Sequence, residues 1–175
     1  MSTPGEPKPV KLFAGLLSSD KNLLRTVEEE LTVLFGPIDA CTETIPWTVS
    51  HYYEREMGGN LLRRFVSFAG PISPEALPDV KLRTQMIERR HRSDTSRRRI
   101  NIDPGYLDVG KVVLASTKGA GHRIYLRQGI YVEMTLLYHD GAFRPFVYTY
   151  ADYLWPATTA FLTHVRTRYL GQLNE

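Results

Sequence analysis

Between Val10 and Ile102 the spacing of apolar residues switches repeatedly between that of a strand and that of a helix, in an order that many α+β proteins share. Residues 10–17 (VKLFAGLL) form a short apolar run of the buried-strand kind. Ser18, Ser19 and Asp20 then offer side chains that cap a helix N-terminus. From there Leu23, Leu24, Val27, Leu31, Leu34 and Phe35 recur on one helical face. Glu28, Glu29 and Glu30 fall mainly on the other side, and Gly36-Pro37 stops the helix. Residues 38–49 are rich in β-formers and predict a strand interrupted near Pro46. Residues 51–60 read as a connector closed by Gly58-Gly59. Residues 63–69 (RRFVSFA) alternate as a strand does. Ser73-Pro74 starts a second helix with Leu77, Val80, Thr84 and Ile87 on its buried face, Pro78 setting where it becomes regular. A last strand is predicted at 98–102.

The order β-α-β-β-α-β is the split, ferredoxin-like pattern, so the expected class is α+β. It implies an antiparallel sheet with both helices on one face and the other face left for the remaining chain or for a ligand. The remaining chain is β-rich. Residues 107–116 fit a strand or a short helix. Residues 123–126 and 130–138 predict a hairpin around Gln128-Gly129, and Asp140-Gly141 a second tight turn leading into 142–147. Phe161, Val165, Tyr169 and Leu173 mark a C-terminal helix. The expected organisation is a flexible tail over 1–9 and one domain over 10–175, made of a ferredoxin-like half (10–103) and a β-rich extension with the terminal helix (104–175).

Composition narrows the class of protein. With 175 residues and 42% hydrophobic content the chain can build a core. The 22 basic and 19 acidic side chains leave a net charge of only +3, too mild to argue for nucleic acid by itself. The single cysteine, Cys41, rules out an internal disulfide and a cysteine-rich metal site and suits a reducing cytosol. No run approaches a membrane span and the first residues carry no signal-peptide core, so the expectation is a cytoplasmic protein with no membrane partner.

Residues 97–133 hold the groups most capable of chemistry. In Asp103-Pro104-Gly105-Tyr106, proline and glycine predict a type II turn that fixes Asp103 and Tyr106 about a bend. In the loop 117–123 (TKGAGHR), Gly119 and Gly121 beside Lys118, His122 and Arg123 suggest a backbone nest for a phosphate or carboxylate, although the spacing is not that of a Walker A loop. A mobile, merely soluble loop has the same composition. Asp103, His122 and Glu133 are the candidate acid-base groups. The hairpin turn places His122 nearer Thr135 than Glu133, within reach of Glu133 only diagonally. No spacing supports a metal or another cofactor. The arginine-rich run 89–99, ending in Arg97, Arg98 and Arg99, suits phosphate backbones, with Tyr52, Tyr53 and Tyr106 available for stacking. It equally suits a solvated helix end. Tyr148, Tyr150, Tyr153 and Trp155 read first as packing for the terminal helix and second as the wall of a ligand pocket.

The segments NIDPGYL (101–107), KVVLAST (111–117), HRIYL (122–126) and GIYVEMTL (129–136), with KLFAGLLSSD near the start, resemble a family of uncharacterised bacterial proteins catalogued only as a domain of unknown function. The resemblance spans nearly the whole chain and implies a small bacterial cytoplasmic protein, with no reaction attached. Three function classes therefore stay open. The first is a binding protein for an anionic small molecule, through Tyr106, Lys118, Gly119, Gly121 and Arg123. The second is an enzyme using Asp103, His122 or Glu133 on a phosphorylated or carboxylated substrate. The third is a nucleic-acid or protein interaction module using Arg97, Arg98 and Arg99.

Overall fold

A computed structural model describes residues 3–51, 53–95 and 97–174. Residues 3–9 are exposed and lack regular structure. Strand β1 (Val10–Ser18) follows and is buried at every position, as a strand paired on both sides and covered on both faces must be. Helix α1 (Lys21–Phe35) is capped by Asp20, whose Oδ1 accepts the amides of Asn22 and Leu23 at 2.9 and 3.1 Å. It ends at Gly36, which takes φ +91°. Strands β2 (Ile38–Cys41) and β3 (Ile45–Pro46) replace the single interrupted strand expected there. A one-turn helix α2 (Glu54–Met57) lies inside the expected connector. Strand β4 (Leu62–Ile72) leads through a 3-10 turn (Pro74–Ala76) to helix α3 (Leu77–Arg90). Leu77, Val80, Thr84 and Ile87 are all buried on α3, as their spacing predicts.

The rest of the chain is β5 (Asn101–Leu107), β6 (Lys111–Ser116), β7 (Ile124–Arg127), β8 (Ile130–His139), β9 (Ala142–Pro145), a 3-10 turn (Ala151–Leu154) and helix α4 (Pro156–Gln172). Residues 111–116 are thus strand, not helix, as β-branched Val112 and Val113 favour. The described residues form one antiparallel sheet of nine strands in the order β2-β4-β1-β5-β6-β8-β7, with β3 on β4 and β9 on β8. The protein is a mixed α+β structure around that sheet. Among the described residues no helix is long and apolar enough to cross a membrane.

Strand alternation sorts the side chains to two faces. Leu12, Ala14, Leu16, Val66, Phe68 and Ile102 meet α1 and α3 in one core cluster. Phe13, Phe65, Leu107 and Leu114 face the other way and pack on α4 through Phe161, Leu162, Val165 and Tyr169. Lys11 points to this second face and is fully buried. Its ammonium donates to Asp39 Oδ2 (2.7 Å), the Ala69 carbonyl (3.2 Å) and Gln172 Oε1 (3.0 Å), fastening α4 across β1, β2 and β4.

Two local expectations are overturned. Asp103-Pro104-Gly105-Tyr106 is not a turn but continuous strand, since all four residues lie within β5. Gly105 is absent from the positive-φ positions, which are glycines 36, 58, 129 and 141. A Cβ built on Gly105 would lie 2.4 Å from the Val113 carbonyl oxygen and 2.9 Å from Phe13 Cζ, so glycine is there for close approach rather than backbone freedom. Pro104 stands one residue outside the β5–β6 register, whose last pair is Gly105↔Leu114, so its missing amide interrupts no pairing with β6. In consequence Asp103 and Tyr106 sit on opposite faces. Tyr106 packs with Leu77 and Val113 on the α3 side.

The second correction concerns register. Gln128 (φ +55°) and Gly129 (φ +76°) form the hairpin turn, but an irregularity between Tyr125 and Arg127 shifts the pairing to Tyr125↔Tyr131 and Ile124↔Val132. Arg123, one residue beyond that ladder, therefore comes opposite Glu133.

Candidate functional site

Below Gly105 the strands β5 and β6 part. Asp103 has no partner on β6, and Ala115 and Ser116 have none on β5. A cavity of about 370 Å³ occupies this fork, lined by Asp103 on one side and Leu114, Ala115 and Ser116 on the other. It opens on the sheet face that α4 covers elsewhere. Trp47, Val49, Ser50 and Tyr53, from the segment between β3 and α2, form one wall. Tyr150, Asp152 and Tyr153 form another.

Arg63 supplies the floor. It sits on β4 at an inward position, with only 4% of its side chain exposed. The guanidinium crosses β1 over Gly15, where a Cβ would lie 2.7 Å from Arg63 Nη2. Gly15 is paired with both Phe65 and Asp103, so the missing side chain opens a path from β4 to β5. Across it Nη1 donates to Asp103 Oδ2 at 3.1 Å. Nε stands 3.0 Å from Asp152 Oδ2 at an angle that leaves neither atom hydrogen-bonded, so this contact is electrostatic. The guanidinium also lies 4.8 Å above the Phe65 ring and 5.9 Å from that of Trp47.

One cation facing two carboxylates sets their proton affinities apart. Burial pushes the Asp103 carboxyl up, but the charges of Arg63 and Lys81 and hydrogen bonds from Arg63 and Asn101 outweigh it and hold the group below its ordinary value. Burial dominates at Asp152 and raises it, with Arg63 pulling back only in part. Burial works against the charge of Arg63, and the two aspartates reverse that and raise its pKa. The Tyr153 hydroxyl is buried without a hydrogen-bond partner, and burial raises its pKa well above that of a free phenol.

A second ionic unit closes the far side. Glu133 is held on β8 opposite Leu114 and is 1% exposed. Its Oε2 accepts from Arg123 Nε at 2.7 Å and faces His122 Nε2 at 3.0 Å. Arg123 also donates to the Lys118 carbonyl (2.8 Å) and to the Tyr150 hydroxyl (2.7 Å). His122 stacks on Tyr148 at 4.1 Å between ring centres, outside the cavity.

The expected residues thus divide. Asp103, Glu133, Lys118 and Arg123 line one cavity. His122, one position off the register, touches that group through Glu133 at 3.0 Å. Gly119 and Gly121 lie in the loop behind Lys118; neither takes positive φ, and the loop reaches the cavity through its basic side chains. Tyr106 lies on the other face of the sheet. Arg98 pairs with Asn101 and Glu56, Arg99 with Asp20, and Arg97 is exposed; none of the three lines the cavity. Tyr53 is in the cavity wall, while Tyr52 lies outside the described residues. Among the described residues no three His, Cys, Asp or Glu side chains are grouped to hold a metal ion.

Arg63 and Asp152 are the additions, and Tyr150 and Tyr153 line the cavity, the second of the two readings of their cluster. Arg63 had a readable signal: in the strand RRFVSF it shares the inward face with Phe65 and Ser67, and a charge at such a position needs a buried partner. Asp152 carries no such mark, because its place depends on how the chain after β9 returns to the sheet.

Compared with known proteins, residues 8–169 match the family described as Domain of unknown function (DUF4416). No curated protein and no solved structure matches the chain.

Proposed function

The chain belongs to this family, and we propose that its function is to bind a small molecule carrying a phosphate or carboxylate group in the cavity between β5 and β6. The observation that carries this reading is the convergence of Lys118 and Arg123 with Asp103 and Glu133 around one cavity. The volume of about 370 Å³ falls at the small end of the range for small-molecule sites, roughly 300–1,000 Å³. Aromatic walls with a few polar groups of fixed orientation are the usual make-up of such sites. Arg123 is oriented on three sides, by Glu133, the Lys118 carbonyl and Tyr150, so it needs little further ordering when a ligand arrives. A thermal-shift screen of nucleotides, phosphorylated metabolites and carboxylates tests the proposal. Stabilisation by a subset of anions that disappears in Lys118→Ala and Arg123→Ala is expected. No shift with any anion, or shifts unchanged in both variants, refutes it.

A second reading, a small enzyme with carboxylate acid-base chemistry, is favoured by one observation. Asp103 and Asp152 share a guanidinium but are pushed to opposite sides of their ordinary proton affinity, the pattern of a base beside an acid. Turnover of a screened ligand that falls at least a hundredfold in Asp103→Asn, with binding kept, is the outcome that selects it. We further read residues 10–103 as a ferredoxin-like half, supported by the neighbour order β2-β4-β1-β5 and by α1 and α3 sharing one face. The chain also reads as a bacterial, cytoplasmic protein, on its resemblance and on its single cysteine, which is exposed.

A further inference from the structure

Lys118 and Arg123 account for only part of the cavity lining. Asp103 also lines it, and its two oxygens differ. Oδ2 accepts from Arg63 Nη1 at 3.1 Å and from Asn101 Nδ2 at 2.7 Å. Oδ1 accepts no hydrogen bond from any described residue, although the side chain is 30% exposed. Asp103 stands on an inner strand of the sheet, so that exposure is to the cavity it lines. An ionised carboxylate oxygen facing a partly enclosed cavity is a ready acceptor for a ligand donor.

The other two carboxylates cannot take that role. Glu133 is 1% exposed and already bonded to Arg123. Asp152 is 2% exposed and faces Arg63. The open acceptor is therefore Asp103 alone, and it already shares its charge with a guanidinium. Arg123 and Lys118 line the same space. A ligand ammonium would bring one more cation close to three others, whereas a hydroxyl donates without that repulsion. Trp47 and Tyr53 stand in the cavity wall, where their apolar surface can cover the C–H surface of a compact hydroxylated ligand.

Resting on the proposal that this cavity is the ligand site, we infer that the ligand presents a hydroxyl to Asp103 Oδ1, which makes its class a phosphorylated or carboxylated sugar or polyol rather than a simple anion. Arg63, Asn101 and Gly15 are positioning residues in this scheme: the first two hold Oδ2 and so aim Oδ1, and Gly15 leaves room for the guanidinium that does so.

Calorimetric titration of the full chain tests this with matched pairs: a hexose phosphate and glycerol phosphate against alkyl phosphates of equal length, an aldonic acid against the alkyl carboxylate, and inorganic phosphate alone. A hydrogen bond to a charged acceptor predicts that hydroxylated members bind on the order of ten- to a hundredfold more tightly than their deoxy partners. In Asp103→Asn that preference should fall to roughly twofold, while inorganic phosphate, relieved of a neighbouring negative charge, binds no more weakly than before. Equal affinity for both members of each pair in the wild-type chain overturns the inference and leaves anion binding standing. So does an amino-substituted sugar phosphate that binds more tightly than its hydroxyl parent. Failure of every anion to bind overturns both. The wild-type comparison decides the matter even if Asp103→Asn does not fold.

Discussion

Replacing Arg63 by methionine is the sharpest test of how this site is built. Methionine keeps most of the apolar stem and removes the guanidinium that lies over Phe65. Two carboxylates are then left without their cation. Asp152 is 2% exposed and has no hydrogen-bonded partner on Oδ2 among the described residues, whereas Asp103 keeps Asn101 and opens to the cavity. Removing one member of a buried ion pair costs about 3–5 kcal/mol. For a chain of this size each kcal/mol lowers Tm by about 2–4 °C, so a fall of roughly 6–20 °C follows. The pH dependence separates this cause from lost packing. In the wild-type protein Asp103, held low, contributes stability above the unfolded carboxylate value of about 3.9, and loses it as pH falls through its folded value. Asp152, raised, behaves oppositely: what it contributes is present below the unfolded value and lost as pH rises through its folded value. Without Arg63 both carboxylates rise, so the deficit of the variant is greatest at about pH 7 and shrinks toward about pH 4.5, where both take up protons. Urea denaturation at the two pH values measures it, and Arg63→Met/Asp152→Asn should recover part of the loss. A deficit below about 1 kcal/mol, or one of equal size at both pH values, would show that Arg63 is not the counter-ion of this pair.

Other substitutions test neighbouring parts of the argument. Gly105→Ala puts a Cβ 2.4 Å from the Val113 carbonyl oxygen, a backbone atom that cannot step aside, and should cost about 3 kcal/mol or more in chemical denaturation. Gly121→Ala, with nothing within 4 Å, should stay within about 0.5 kcal/mol. Gly15→Ala meets the Arg63 guanidinium at 2.7 Å and the Phe65 ring at 3.0 Å; a cost of about 1–3 kcal/mol with a clear loss of ligand affinity is expected, and unchanged affinity would remove Arg63 from the positioning scheme. Lys11→Met strips the buried partner from Asp39, but Ser67 at 2.6 Å and Arg168 at 3.2 Å remain, so the cost should sit near the lower end of about 3–5 kcal/mol. Burial opposes the ionisation of Asp39, and the Lys11 and Ser67 hydrogen bonds override it and hold the carboxyl low. The wild-type advantage should therefore fade as pH drops through that lowered value, which acid titration of both proteins by circular dichroism would follow.

Much of the fold was legible because it is written in local chemistry. The Asp20 cap, the apolar face of α1 and its Gly36 stop act within a few residues of one another, and the structure repeats them nearly position by position. The same holds for the turns at Gln128-Gly129 and Asp140-Gly141, where positive φ is demanded on the spot. Where the reading failed, the deciding contact came from far along the chain. Pro104-Gly105 has the composition of a turn, yet β1 and β6 draw it into the sheet, and Gly105 answers to the Val113 carbonyl rather than to its own backbone. The hairpin register moved by an irregularity that no residue type announces, and that shift brought Arg123 opposite Glu133.

The sequence by itself determined the elements, their inward faces and the stock of charged groups between 97 and 133. Those follow from periodicity and from turn and cap preferences, which are properties of neighbours. Only the tertiary structure decided that Asp103 and Tyr106 part to opposite faces, and that Arg63 crosses β1 over Gly15 to reach Asp103. It alone decided that Asp152, Tyr150 and Tyr153 close the same cavity from the chain after β9. The reason is physical: a buried charge is tolerated only where partners from several strands meet it, and which strands meet is settled by the packing of the whole sheet.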